Sequence, residues 1–447
     1  MEIPLRGFSH VKLNTFRFIA KNWKKVFTSG EKISLVLIAL LVVLTSTGWV
    51  YAASQMKNSV PRDGGTYIEG MVASSVDSVD LGRLSKSGLT RIDEKGAVSP
   101  DLALSWEISP DKLTYKFSLV DKVSSYEISD LLKNNPSYAD SAVAQAIDAK
   151  NLSLKLEAPN ANFLTDLAQP VFPYGPYLVD KKTNNEIRLK RNINYHLNKP
   201  YIDRFIVRIY PDKAALQKAA DRNKISGALG LDKKPDDWQN KEVTLGKRHY
   251  LFINSSRPTL KKTATRTQLL NGQKPDGIST LDILEVNGEQ EDADFIALVA
   301  KLKAAGVDVK ERKVTLKDAL KEDLPKRDYD FLYILVSEGQ THDPYLFYHS
   351  SERSGAGQNF AELANADLDN LLESYRSEAD ATKKTTLLDQ INKAVETEKV
   401  SVTYPSLKSN YMVSPKLKGF LVSPTCSCES DRFAQVLSWH FYEKKIK

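Results

Sequence analysis

The chain has 447 residues, 41% of them apolar, and a formal charge of +7. That is too long for one core, which stops growing near roughly 250 to 300 residues, so two lobes are expected. Residues 1–32 carry seven Lys/Arg against two acids, leaving 56 basic and 54 acidic residues elsewhere. A body so nearly neutral gives no argument for a nucleic-acid partner. The two cysteines, Cys426 and Cys428, are too close in sequence to staple distant elements, which excludes a disulfide framework.

Ile33 to Ala53 runs 21 residues without a charge, long enough to span a hydrocarbon core as a helix. Arg6, Lys12, Arg17, Lys21, Lys24, Lys25 and Lys32 precede it, and Trp49 and Tyr51 sit at its far end like interfacial anchors. The positive-inside bias puts residues 1–32 in the cytoplasm and everything after about 54 outside. A cleaved signal peptide is the rival reading, because "VYAAS" offers small residues to a peptidase. The apolar run nevertheless exceeds the usual ~7–15 residues of a signal core. An uncleaved anchor is therefore expected, with a cytoplasmic leader over 1–32, the membrane helix over 33–53 and a linker over 54–63.

The body opens with extended segments. Leu113, Tyr115, Phe117 and Leu119 alternate with Thr, Lys and Ser, the period of a half-buried strand. Ser109-Pro110-Asp111-Lys112 supplies a turn before it. Further strands are expected at "NLSLKLEA" (Leu152, Leu154, Leu156) and at Arg204 to Tyr210. From about residue 248 helices and strands alternate. Phe295, Leu298, Val299 and Leu302 form one helix face, ended by Gly306. "YDFLYILV" is apolar enough for a buried central strand. Leu368, Leu371, Leu372 and Tyr375 mark a second helix, and Leu387, Leu388, Ile391 and Val395 a third. Such alternation argues for an α/β lobe. The strand-like "VSVTYPSL" then returns toward the first lobe.

Catalytic signatures are missing. No Gly-x-Ser-x-Gly, Walker A, His-Glu-x-x-His or spaced Cys-x-x-Cys pair occurs. Of six histidines only His342 and His349 lie close together, a weak metal signal without a carboxylate cage. Cys426 and Cys428 leave three accounts open: a soft-metal pair, a small strained disulfide, or free thiols. Asp101 and Asp111 each follow Pro inside a turn signal, where Asp bonds to nearby backbone N–H groups, so they read as turn residues.

Six segments in order carry a resemblance. They are "GGTYIEGMVAS", "SGLTRIDEKGAVSPDLALSWEISPDKLTYKFSL", "AIDAKNLSLKLEAPNANFLTDLAQPVFPYGPY", "IRLKRNINYHLNKPYIDRFIVRIYPDKAALQKA", "HDPYLFYHSSERSGAGQNFAELANADLDNLLESYR" and "SPKLKGF". Together they cover most of residues 64–230 and 290–420. The chain resembles the bacterial extracellular solute-binding proteins of family 5, the oligopeptide, dipeptide and nickel-binding components of ABC importers. The resemblance implies an α/β periplasmic-binding-protein type II fold with mixed sheets and two lobes joined by crossover strands. Lobe I would comprise 64–247 and 403–447, and lobe II 248–402. It also implies a monomer that is not an enzyme and needs no cofactor. Such a protein would close on a peptide or small solute and deliver it to a permease with its ATPase subunits. A trimmed form acting as sensor or scaffold is the alternative, and an exported enzyme a more distant one.

This sequence departs from the family pattern in places that bear on the ligand. The stretch from Val123 to Ala146 is short, and the helical block after "TRTQLLNG" is missing. The family's Gly-Thr-Gly-Pro-Tyr appears as Pro173-Tyr174-Gly175-Pro176-Tyr177. Peptide-binding members often place an Asp three residues before the Asp-Pro of "VSEGQTHDPYLF"; here Gln340 stands there. A neutral amide cannot neutralise a peptide's α-ammonium, and a desolvated unpaired charge is costly. Either Glu338 takes that role or the ligand is not held by a free amino terminus. Tyr174, Gln340, Tyr345 and Asn359 are the expected cleft-facing residues, with Asp343 bracing the loop and Glu69 and Ser74 as further candidates.

Overall fold

The computed structural model describes residues 59–445, apart from 94–95, 136–141, 287–292, 340–342, 356 and 424, together with scattered positions between 28 and 45. It divides into one unit of residues 1–61 and 443–447 and a second of residues 62–442. The first holds all but the last residue of β1 (Ser59–Arg62), which pairs with β19 (Tyr442–Lys445), all but its first residue in the same unit. Most of the expected membrane segment 33–53 lies outside the described residues. Leu37, Leu40 and Leu41, which are described, are helical and more than half exposed. Among the described residues no helix is long and apolar enough to cross a membrane.

The second unit begins with β2 (Thr66–Val72), followed by a hairpin of β3 (Thr90–Ile92) and β4 (Val98–Pro100). Next comes a four-stranded antiparallel sheet of β5 (Ala103–Ile108), β6 (Thr114–Leu119), β7 (Ala142–Ala146) and β8 (Asn151–Leu156), in the order β5-β6-β8-β7. The period-2 pattern acts as expected: Tyr115, Phe117 and Leu119 are buried and Lys116 is exposed. Asp111 accepts from the Leu113 N–H at 3.0 Å, fixing the turn before β6. The helix Ser125–Lys133 packs Ile128 and Leu132 onto the apolar face.

An eleven-stranded mixed sheet organises the rest. Its N-terminal half holds β2, β9 (Tyr177–Lys182), β10 (Glu186–Arg191), β11 (Arg204–Tyr210) and β12 (Gly227–Leu229). Its other half holds β14 (Thr280–Val286), β15 (Asp308–Val314) and β16 (Phe331–Ser337). Between them run β13 (Gln239–Ile253) and β17 (Ser401–Val413), giving the order β15-β14-β16-β13-β17-β12-β2-β11-β10-β9, with β18 (Thr425–Cys426) beside β13. Strand β13 passes through 247/248 without a break. Its register against β17 shifts between Thr244 and Arg248 and again before Tyr250, the signature of irregular pairing that bends a strand.

Alternation on β13 and β16 decides which helices cover the second half. Tyr250, Phe252, Leu332 and Ile334 face one core, closed by the helices Ala366–Ser377 and Ala381–Glu398. Leu251, Ile253, Phe331 and Tyr333 face another, closed by Thr263–Leu270 and Ala293–Ala304. Each fully buried Leu or Phe here contributes roughly 1.5–3 kcal/mol. Asn365 caps its helix by accepting from the Asp367 and Leu368 N–H groups, and Asp380 from that of Lys383. Gly306, at φ 84°, ends Ala293–Ala304 in the left-handed conformation glycine favours.

Candidate functional site

Strand β16 ends at Ser337, and the next residue, Glu338, turns back to its neighbour β13. Its N–H donates to the Gly246 carbonyl at 2.9 Å. One carboxylate oxygen meets Arg248 at 2.8 Å and the other accepts the Tyr250 hydroxyl, with the Glu338 side chain only 5% exposed. Burial, then the hydrogen bond to Glu338, pushes the Tyr250 hydroxyl well above the usual tyrosine range, so it remains a donor. The acid that was a candidate for a ligand's ammonium is thus already paired within the protein.

Past Gly339, Gln340 and His342 lie outside the described residues. The loop then closes on itself. Asp343 accepts from the Tyr345 N–H at 3.0 Å and from Arg376 Nε at 2.8 Å. The Arg376 guanidinium lies 3.8 Å above the Tyr345 ring, whose other neighbour, His349, is stacked at 4.1 Å. Guanidinium, phenol and imidazole thereby form a layered stack at the head of the short helix Tyr345–Tyr348, with both faces of the Tyr345 ring covered from within the protein.

Asn359 is a correction. It is fully buried, its Nδ2 donating to the carbonyls of Tyr348, His349 and Leu363 and its Oδ1 accepting from the Leu363 N–H. It tethers the loop and presents nothing to a cleft. Glu69 is likewise buried, in an ion pair with Arg432 at 2.9 Å, and belongs to the core of the N-terminal half. Ser74 is exposed beyond β2, with its hydroxyl 3.4 Å from that of Ser78. The Tyr174 hydroxyl donates to Glu127 at 2.6 Å, and its ring packs against the four-stranded sheet. A Cβ on the adjacent Gly175 would lie 2.3 Å from the Ser85 backbone, so that glycine serves close packing.

The structure therefore gathers Glu338, Asp343 and Tyr345 after β16 and places Glu69, Ser74 and Tyr174 elsewhere. Arg248, Tyr250 and Arg376 complete the loop but escaped the sequence reading. Arg248 and Tyr250 sit in a strand whose polar first half masks its period, and Arg376 ends an amphipathic helix like any basic last-turn residue. Beside this loop the halves of the chain touch: the Ala161 N–H donates to the Arg376 carbonyl at 2.8 Å, and Lys384 bonds Asn162 Oδ1. Cys426 and Cys428 are both free thiols. Among the described residues no group of three or more His, Cys, Asp or Glu could hold a metal ion.

No family model matches the chain, and no curated protein sequence matches it. Solved structures do. The oligopeptide-binding protein AppA from Bacillus subtilis, in complex with a nonapeptide, matches with a TM-score of 0.66 at 16% identity, over 86% of this chain and 100% of that one. The ABC transporter-associated periplasmic binding protein DppA from Helicobacter pylori, in complex with the peptide STSA, gives 0.66 at 16%, over 85% and 98%. NikZ from Campylobacter jejuni, in complex with Ni(L-His), gives 0.63 at 17%, over 85% and 100%. At these identities the likeness is one of fold, and the mixed sheet with its two crossing strands is the fold of the periplasmic binding proteins.

Proposed function

We propose that this chain is the extracytoplasmic substrate-binding component of an ABC importer, a member of solute-binding family 5 that captures a peptide or related small solute and passes it to a permease. The observation that carries this reading is the likeness of fold over 98–100% of the length of neighbours whose structures hold peptides or a nickel chelate. Residues 33–53 would anchor the chain in the cell membrane of a bacterium, keeping the binder near its transporter at a raised effective concentration. The two lobes, 64–247 with 403–447 and 248–402, would hinge where β13 and β17 change register.

The chemistry around β16 narrows the solute. Glu338 is neutralised by Arg248 and Asp343 by Arg376, so neither carboxylate is open to a peptide's ammonium. A solute without a free amino terminus suits this loop.

Gentle purification of the full chain followed by mass spectrometry tests the assignment directly. A retained solute, with a thermal shift that grows as RT ln(1 + [L]/Kd) when it is added back, is the expected result. If nothing is retained and N-acetylated as well as free peptide libraries give no shift, the reading fails and the sensor or scaffold role takes its place.

A further inference from the structure

A cavity of about 460 Å³ opens in the N-terminal half between the β3–β4 hairpin, the turn at 195–197 and the C-terminal stretch 421–437. Its size falls within the ~300–1,000 Å³ of small-molecule sites. None of the residues placed around the β16 loop lines it.

Its charged groups divide into those already committed and those left over. Arg83 is held by Asp431 at 2.8 Å and donates to the Ala168 carbonyl. Asp101 is paired with His196, each side chain only 6% exposed. The Asp93 carboxylate accepts the Ala97 N–H and the Ser99 hydroxyl inside the hairpin turn. Among the described residues the Arg91 side chain bonds only through Nε, to the Pro100 carbonyl. The Lys86 ammonium has no hydrogen-bond or ion-pair partner among the described residues. Lys86 and the terminal nitrogens of Arg91 are therefore the cationic groups of the lining with no carboxylate partner among the described residues, and Ile92, Leu197 and Val436 line the same cavity.

We propose that this cavity binds a small organic anion, a carboxylate on an apolar body, with Lys86 and the free fork of Arg91 taking the carboxylate. A guanidinium with both terminal nitrogens available matches the two oxygens of a carboxylate, and the apolar wall accepts the remainder of the molecule. The site lies within one half of the chain, so it stands independently of the importer reading and of any closure around a solute.

Titration calorimetry on the full chain in detergent tests it, using hexanoate and benzoate against hexanamide and benzamide. A third arm uses acetyl-leucyl-leucine and its C-terminal amide, which separates free organic acids from the carboxylate end of a peptide. The acids bind and the amides do not. Lys86→Gln and Arg91→Gln each weaken binding about 10-fold, whereas Lys241→Gln, an equal charge change on exposed β13, leaves it unaltered. Equal binding of acids and amides, no binding of any acid, or indifference to both cavity variants overturns the proposal. If the acids fail while a retained solute still shifts the melting temperature, this site is refuted and the importer reading survives; the reverse pattern keeps the site and removes the importer.

Discussion

Glu69 and Arg432 are 363 residues apart in the chain, and their side chains are 0% and 3% exposed where they meet. The hydroxyls of Tyr67 and Tyr411 donate to the second Glu69 oxygen at 3.0 Å each. Burial, then the Glu69 charge, pushes both hydroxyls well above the tyrosine range and keeps them as donors. Taking the carboxylate away would strand a buried guanidinium, and breaking such a pair from one side costs about 3–5 kcal/mol. Glu69→Gln is therefore expected to lower the unfolding free energy from urea titration by that much whether or not a solute is present. A variant that keeps wild-type stability and loses only solute binding would return Glu69 to the cleft. The sequence placed Glu69 in the cleft because it sits near the end of the first strand; its partner comes from the far end of the chain, which no local pattern announces. The two thiols show the same dependence on context. Burial, then Asp431, pushes both Cys426 and Cys428 up to about 12, which makes them poor nucleophiles at neutral pH.

Among elements, the strands with a clean alternation were legible. β6, β8, β11 and β16 fall where the apolar periods put them, and Arg204–Tyr210 has the same bounds in both readings. The crossing strand β13 was not legible as a whole, because Gln239–Glu242 are exposed and pair only with β17, so the segment offers no apolar signal until Val243. The edge of the sheet carries a pairing that can be tested by pH. On β10, Glu186 lies opposite Arg208 of β11 and contacts it at 2.9 Å, with Arg188 at 2.6 Å. Burial alone would raise the Glu186 carboxyl, but hydrogen bonds from the two arginines outweigh it and hold the group below its usual value. A depressed folded value means a stabilisation that is full above the unfolded carboxylate pKa, near ~4.3, and is lost as pH falls through the folded one. Glu186→Gln is expected to cost about 1 kcal/mol at pH 7, since both arginines keep some contact with water. It should cost progressively less as the medium is acidified below about pH 4. Parallel acid unfolding curves for the two proteins, with a constant gap, would reject this account.

At the scale of the whole molecule, the alternation of strands and helices and the returning C-terminal strand made a mixed α/β chain legible, and the fold agrees. The candidate site was less so. Its paired charges draw on β13, on the loop after β16 and on the last turn of Ala366–Ser377, three places that sequence keeps more than a hundred residues apart at the extremes. The contact between the halves has the same character. Lys384, at the start of Ala381–Glu398, bonds Asn162 Oδ1 and lies 4.9 Å from the centre of the Tyr375 ring, and the neighbouring Ala161 N–H reaches the Arg376 carbonyl. These bonds cross from the segment after β8 to the helices of the second half, so under the proposed capture mechanism they form only when the halves approach. A contact made only in the closed state adds to solute affinity by raising the closed population, and leaves the folding of either half unaffected. One hydrogen bond from a charged donor, partly open to solvent, is worth about 1 kcal/mol. Lys384→Ala is therefore expected to weaken binding of the recovered solute about 5-fold while urea unfolding of the free protein stays within about 0.5 kcal/mol of wild type. Small-angle scattering should show a larger radius of gyration for the variant at a solute concentration that compacts the parent. If affinity and radius both match the parent, the contact between Lys384 and Asn162 is a fixed part of the fold, and closure, if it occurs, must be sought elsewhere along β13 and β17.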